Sequence, residues 1–234
     1  CTAPVGKALP RQSERSWHTH AVGRSSTVML FEQWNAWRLT NNGLPESLLT
    51  RSSLAPGGLG PSRWLGLLPV LLRPEIWRAL VVGLGGGLTV ESIPRTVEQI
   101  TVVELEDEVV RAHEWLAERR PVDPLADPRV RVVVNDARGA LELTDARFGA
   151  IISQPSHPWT AGASHLYTRE FFALARERLT PDGVLAQWMA QAFVDEELLR
   201  ALVATLAAEF PHVSVYRPTP SSLLLLASPQ PLRM

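Results

Sequence analysis

Cysteine occurs once in these 234 residues, at position 1, so the chain can close no internal disulfide and has no thiolate set for a metal cluster. A lone thiol of this kind suits a reducing compartment. An excess of either charge is also missing: the formal net charge is -1, which offers neither nucleic acid nor an anionic lipid surface a basic face. Long apolar runs are lacking too. The stretch WLGLLPVLL (Trp64 to Leu72) is far short of the ~20 residues a membrane span requires and contains Pro69, and LLLLA (Leu223 to Ala227) is shorter still. There is no HExxH or Cys/His spacing for a metal, no GxSxG for a serine hydrolase and no GK[ST] for a phosphate loop. No signal peptide, internal repeat or low-complexity tract is present. Position 1 is Cys rather than Met, which reads as a fragment or a trimmed chain.

What is present divides in two. Residues 1–24 are polar and without periodicity. From Ser26 to about Thr50, TVMLFE and AWRLT read as short strands, and Asn42-Gly43 as a hairpin turn. A Pro/Gly linker, LAPGGLGPS (Leu54 to Ser62), follows, which sets a small amino-terminal β region at 1–60 and a larger unit at 61–234. The early strands are too short to stand alone, so they are expected to pack on the larger unit or on a neighbouring subunit.

In the larger unit strands and helices alternate. Strands are expected at 78–83, 100–105, 130–135, 149–154 and 183–189, with helices over EDEVVRAHEWLAER, ARGALEL, TREFFALARERL and DEELLRALVATLAAEF. β-Branched runs joined by helices predict a mostly parallel sheet covered on both faces. HVSVYRP and SSLLLLAS, split by Pro218-Thr219-Pro220, predict a closing hairpin with an antiparallel final strand.

The first strand runs into Gly83-Leu84-Gly85-Gly86-Gly87, where glycines permit a sharp turn and a close approach to a ligand. The dinucleotide fingerprint fails at its last glycine, which is Leu88 here. The second strand ends in Glu104, 21 residues after Gly83, where an acid can accept both hydroxyls of a ribose. The third leads into Asp136, placed to accept from an adenine amino group, with Ala137 beside it. Each acid also fits a helix amino-terminal cap, and the glycines also fit tight strand-to-helix packing. Acids at successive strand ends, in this order, favour nucleoside binding.

The motifs ALVVGLGGG, VVELEDEVV, NDARGAL, FGAIISQPSHPW and HLYTREFFALARERLTPDGVLAQW resemble those of the spermidine synthases, the aminopropyltransferases, from Trp64 to about Trp188. The likeness is closest to spermidine-synthase-like domains that bacteria fuse to transmembrane segments, which share NGLPE and QPSHPWTAGASHLYTREFF. The resemblance implies a class I methyltransferase-like (Rossmann-like) α/β fold, a homodimer, a cytoplasmic location (free or as the cytoplasmic domain of a membrane-fused protein), and decarboxylated S-adenosylmethionine or S-adenosylmethionine as co-substrate, with no metal. It implies that Glu104 holds the ribose, that Asp136 and Ala137 hold the adenine, and that Gly83, Gly85 and Gly87 lie under the sulfonium end. The partner is then a small amine, with no nucleic acid and no direct insertion of this segment in a membrane.

The substrate side departs from the family. The synthases carry an aspartate in the glycine loop where this chain has Gly86, D-S-S-D-P where it has Gln154-Pro155-Ser156-His157-Pro158, and Y-H-E where it has Pro61-Ser62-Arg63. An alkyl amine titrates near ~10.4, so deprotonating it at pH 7 costs about 4.6 kcal/mol and asks for a base. Gln154 cannot take a proton, though it can orient an N–H. His157 can act as general base near neutral pH, or else simply bond to the backbone between two prolines. Glu46 fits an ammonium contact or a surface turn. Tyr167 fits a wall of the adenosyl pocket or the core, and His165 shares its loop. Asp195 reads as the cap of the last helix, and Trp159 and Trp188 as packing or as flanks of a site. The leading expectation is a polyamine-type transferase. Its alternatives are an S-adenosylmethionine-dependent methyltransferase and a non-catalytic adenosyl-ligand module of a larger membrane protein.

Overall fold

A computed structural model of the chain describes residues 16–33, 36–50, 59–155, 162–191 and 194–232. The amino-terminal part is an antiparallel meander of β1 (Ser16–Val22), β2 (Thr27–Gln33), β3 (Ala36–Asn41) and β4 (Leu44–Thr50). Asn41 pairs with Leu44 across the Asn42-Gly43 turn, whose φ angles of 49° and 77° are those a two-residue hairpin requires. The 1–24 region, expected to be irregular, contains β1. It is an edge strand paired only with β2, so backbone bonds define it and its polar sequence SWHTHAV shows little alternation.

The larger part contains α1 (Pro61–Leu72), β5 (Arg78–Val82), α2 (Leu88–Glu91), β6 (Gln99–Glu104), α3 (Asp107–Leu116), β7 (Val130–Val134), α4 (Ala137–Glu142) and β8 (Phe148–Ser153). A 3-10 turn (Ser164–Tyr167), α5 (Arg169–Arg178), β9 (Leu179–Ala190), α6 (Glu196–Ala207), β10 (His212–Thr219) and β11 (Ser222–Ser228) complete it. The sheet order is β10-β11-β9-β8-β5-β6-β7. Strands β9, β8, β5, β6 and β7 are parallel, and β11 is antiparallel to both neighbours. This is the expected α/β, Rossmann-like architecture. Strands β8 and β11, interior to the sheet, are buried along their whole length, which is why FGAIIS and SLLLLAS are not alternating.

Two cores lie on the two faces of this sheet. One joins Val81, Val102, Ile152 and Leu224 to Leu65 of α1, to Val109, Ala112 and Leu116 of α3, and to Val28, Leu30, Trp37, Leu39 and Leu49 of the small sheet. The other joins Leu80, Ile151 and Leu225 to Leu141 of α4, Phe171 and Phe172 of α5, and Leu206 of α6. The small sheet therefore shares a core with the larger unit, and Trp37 meets Trp115 of α3 edge-on at 6.4 Å. The linker that suggested a boundary lies largely outside the described residues. The run Trp64 to Leu72 falls within α1. Pro61 starts that helix where no N–H bond is lost, and its apolar side packs on the sheet. No helix among the described residues is long and apolar enough to cross a membrane. Asp195 does cap α6, accepting from the Leu198 N–H at 2.8 Å.

One carboxylate ties the small sheet to the head of α3. Glu106 is buried and accepts from the N–H groups of Arg24 and Ser25, each at 2.8 Å, and from the Ser25 hydroxyl. Burial acts to raise its pKa, yet the hydrogen bonds from Ser25 and Arg24 outweigh it and hold the carboxyl below its ordinary value. A depressed folded pKa contributes stability that is present above the unfolded value and lost as pH falls through the folded one. Glu106→Gln should accordingly reduce stability at neutral pH by ~1–3 kcal/mol and speed amide exchange in β1 and β2, while the parent protein shows the same loosening only in acid. Hydrogen exchange read by mass spectrometry checks this; β1–β2 amides that exchange alike in both proteins would show that the contact carries no load.

Candidate functional site

The carboxyl ends of β5, β6, β7 and β8 open on one side of the sheet, where α/β folds place their ligands. A cavity of about 540 Å³ lies there. Its wall includes Gly83 and Gly85 after β5, Glu104 to Glu106 after β6, Asn135 to Gly139 after β7, and Gln154 and Pro155 after β8. Gly83 and Gly85 have φ of 87° and 48°, in the left-handed region that glycine tolerates. At Gly85 a Cβ would meet no atom within 4 Å, so the backbone itself faces open space.

Glu104 is the buried group of this wall, 7% exposed. Its Oε2 accepts from the Leu84 N–H at 2.8 Å and its Oε1 from the Glu106 N–H at 3.0 Å. Burial raises its pKa above the ordinary carboxyl value, against the pull of those N–H groups. The N–H groups of Gly85 and Leu105 add to that pull, so the carboxyl sits in a ring of backbone donors. Asp136 lines the cavity and also caps α4, accepting from the N–H of Arg138 at 3.1 Å and of Gly139 at 2.9 Å. The cap reading of that residue is therefore observed, in a side chain that also reaches the cavity. Ala137 lies next to it, buried against the second core.

Other expected residues are placed differently. Gly87 is the residue before α2 and does not line the cavity; a Cβ there would come within 2.6 Å of Pro124 Cγ. Tyr167 is buried in the second core, its hydroxyl donating to the Trp188 carbonyl at 3.2 Å, and its neighbour Leu166 reaches the cavity instead. Burial raises the Tyr167 pKa. Gln154 touches the cavity, but its amide bridges two helices: Oε1 accepts from the Thr89 hydroxyl and Nε2 donates to Ser62 Oγ at 2.9 Å. One N–H and one lone pair of that amide are left for a ligand. Glu46 of β4 lines the cavity. His157 and Trp159 lie outside the described residues.

Apart from Glu46, the sequence reading missed the contribution of the small sheet. Ser25 and Ser26, at the β1–β2 turn, and Asn41 and Asn42, at the β3–β4 turn, complete the wall, as do Glu142 of α4 and His165 of the 3-10 turn. Asn42 signalled a turn but nothing about what the turn faces. Ser25 sits in a stretch with no pattern. The charged groups lining the cavity are Glu46, Glu104, Glu106, Asp136 and Glu142 against the guanidinium of Arg138. Such a wall favours a cation and opposes a phosphate.

Gly86 marks a close approach of the small sheet. A Cβ at this position would lie 2.2 Å from Ser47 Oγ and 2.8 Å from Leu49 Cδ2, so β4 fills the space a side chain would need.

The spermine/spermidine synthase domain family matches residues 62–224. A polyamine aminopropyltransferase of Synechococcus sp. (strain JA-2-3B'a(2-13)) is 34% identical over 151 residues, covering 61% of this chain and 48% of that protein. The chain thus spans about half the length of the curated relatives it matches. Among solved structures, a spermidine synthase in complex with the transition state analogue AdoDATO superposes with a TM-score of 0.77 at 19% identity, over 95% of this chain and 82% of that one. Human methyltransferase-like protein 13 in complex with SAH gives 0.55 at 22% identity, over 73% and 80%. At these identities the two structures show the shared fold.

The packing at Gly86 yields a test that needs no ligand. Gly86→Asp should destabilise the protein by ~1–3 kcal/mol through overpacking, and Ser47→Gly with Leu49→Ala in the same chain should relieve the clash. The expected signature is an additional loss in Gly86→Asp that is smaller when it is measured in the trimmed background. Denaturation in urea measures all the variants, and equal losses in both backgrounds would rule the wedge out.

Proposed function

The chain belongs to the spermine/spermidine synthase family, and from that premise we propose that it is a spermidine-synthase-like transferase acting on an amine. The donor would be decarboxylated S-adenosylmethionine. The observation that carries the reading is Glu104, a buried carboxylate on the cavity wall beside the bare backbone of Gly83 and Gly85. In this reading Glu104 accepts from the ribose hydroxyls, and Asp136 and Ala137 border the adenine. The acidic wall, with Glu46 facing in from β4, suits a sulfonium and an ammonium.

The transfer would run as a displacement. The acceptor nitrogen lone pair forms a bond to the carbon beside the sulfonium, the carbon–sulfur bond breaks with its electron pair going to sulfur, and the nitrogen passes a proton to a base. His157 is the proposed base, and Gln154 an orienter through its remaining N–H and lone pair. His165, on the cavity wall, is the rival base. Glu46 would hold the second ammonium of a diamine. The aspartates that the family places at positions 86, 154 and 157 are absent. Their charge-assisted bonds to a dication are worth ~1.5–3 kcal/mol each, so an acceptor less cationic than putrescine should be preferred. A homodimer and a cytoplasmic location, either free or as part of a membrane-fused protein, belong to the same proposal.

A second reading, S-adenosylmethionine-dependent methyl transfer, has support at Gly86. No carboxylate can stand there while Ser47 and Leu49 occupy the space, so nothing at that point repels the carboxylate of the full donor. Mass spectrometry with each donor and a panel of amines separates the two reactions, and binding without turnover would favour an adenosyl-ligand module.

Methylthioadenosine, the sulfur product of aminopropyl transfer, is the simplest probe. Wild type should bind it, and Glu104→Ala should weaken binding by ~1–3 kcal/mol. Hydroxyls donate to the ionised carboxyl, so affinity should fall as pH drops through the Glu104 pKa. Because that pKa is raised, the loss should begin above the pH at which an ordinary carboxyl titrates. Calorimetry that finds no binding, or an affinity indifferent to Glu104, would overturn the adenosyl reading.

A further inference from the structure

Behind the glycine loop, on the side away from the cavity, sits a polar cluster that the proposed transfer does not use. His113 of α3 is 1% exposed, and its Nε2 lies 2.8 Å from the Gly85 carbonyl. Arg120 donates to the Gly86 carbonyl at 3.1 Å and approaches His113 Nδ1 at 3.3 Å. The guanidinium is also ion-paired to Glu91, which in turn faces Arg63 of α1 at 3.6 Å.

We propose that His113 and Arg120 are positioning residues that fix the orientation of two successive peptides, His113 that of Gly85–Gly86 and Arg120 that of Gly86–Gly87, and thereby the site's hold on an adenosyl thioether. The proposal rests on the adenosyl reading above. A guanidinium only donates, so Nδ1 of His113 must be the acceptor and the ring proton must sit on Nε2, donating to Gly85. Only the neutral ring makes both bonds. Its surroundings agree: burial, with Arg120 adding to it, lowers the pKa to about 4, against the opposing influence of the Gly85 carbonyl and Asp123. Glu91 of α2 and Arg63 of α1 are the other charges of the cluster.

The need for such a clamp follows from the loop itself. A peptide between two glycines can flip with little steric resistance. In a trans peptide the carbonyl and the next N–H point opposite ways, so holding the Gly85 carbonyl on His113 directs the Gly86 N–H away from it. A flip would put a carbonyl where an N–H now stands, next to the wall formed by Gly83 and Gly85. Packing reinforces the hold. A Cβ at Gly87 would be 2.6 Å from Pro124 Cγ and 3.0 Å from His113 Cε1, and Ser47 and Leu49 press on Gly86.

The test uses His113→Leu, which loses both bonds, and His113→Gln, whose amide nitrogen can replace the Nε2 donor. Methylthioadenosine affinity is measured by calorimetry at pH 7.5, alongside melting temperature and amide exchange at Gly85 to Gly87. The leucine variant should bind about tenfold more weakly and the glutamine variant within about threefold of wild type. Exchange at the loop should quicken in the same order. A fall in melting temperature with unchanged affinity in both variants, or equal losses in both, would reduce His113 to a packing residue and overturn the proposal. If wild type binds no methylthioadenosine, the adenosyl reading fails, and loop exchange alone decides the clamp: unchanged rates in His113→Leu would overturn it as well. Should the leucine variant not fold, Arg120→Gln removes the second grip and is judged by the same readouts.

Discussion

Placing a carboxylate at the buried end of β6 imposes a demand that organises the residues around it. Removing Glu104 from water disfavours its charge, and the compensation is local backbone: the Leu84 N–H from the glycine loop and the Glu106 N–H from the head of α3. Those two bonds bring the loop after β5 and the start of α3 to one point. Glu106, set by that geometry, receives the N–H groups of Arg24 and Ser25. A chain of three contacts therefore runs from the glycine loop through Glu104 and Glu106 to the small sheet. None of them is a long-range hydrophobic contact, yet each depends on the one before it.

The small sheet is consequently more than a cover. Its apolar face joins the core beneath α3, and its two turns carry Ser25, Ser26, Asn41 and Asn42 to the cavity wall. β4 completes the arrangement by pressing Ser47 and Leu49 on Gly86. His113, Arg120 and Pro124 bear on the same loop at Gly85, Gly86 and Gly87. The loop is confined between them, and its open side is the one that faces the cavity. A buried ion pair such as Arg120–Glu91 adds little net stability, because burial opposes both charges. Removing one partner would strand the other, which makes the cluster a fixed feature of geometry.

The sheet was legible because its strands obey a simple rule. Runs with both faces buried are continuous and apolar, and β5, β6, β7 and β8 start and end within a residue of their expected bounds. That Gly83, Gly85, Glu104 and Asp136 gather at one cavity was legible for a related reason, since each ends or closely follows a parallel strand and such ends open on one side of the sheet. What failed was information carried by partners distant in sequence. β1 has no apolar stripe because its identity comes from β2, and nothing in SWHTHAV encodes that pairing. Gly87 looks like Gly85 in a string of glycines, and only the position of Pro124 tells them apart. Tyr167 and Leu166 are adjacent and both meet the second core, yet in the 3-10 turn it is Leu166 that also reaches the cavity.

The acidic wall must be read with its existing bonds in view. Asp136 already serves two N–H groups of α4, and Glu106 serves the β1–β2 turn, so much of their acceptor capacity is engaged before any ligand arrives. Glu104 accepts from the Leu84 and Glu106 N–H groups, and those of Gly85 and Leu105 bear on it as well. These three carboxylates contribute a negative potential more than they contribute free acceptors. The potential acts over the whole cavity and attracts any cation, whereas recognition requires a directed bond at short range. A potential of this sign favours cationic ligands over anionic ones, whereas telling one cation from another requires directed partners, among them the exposed backbone of Gly83 and Gly85.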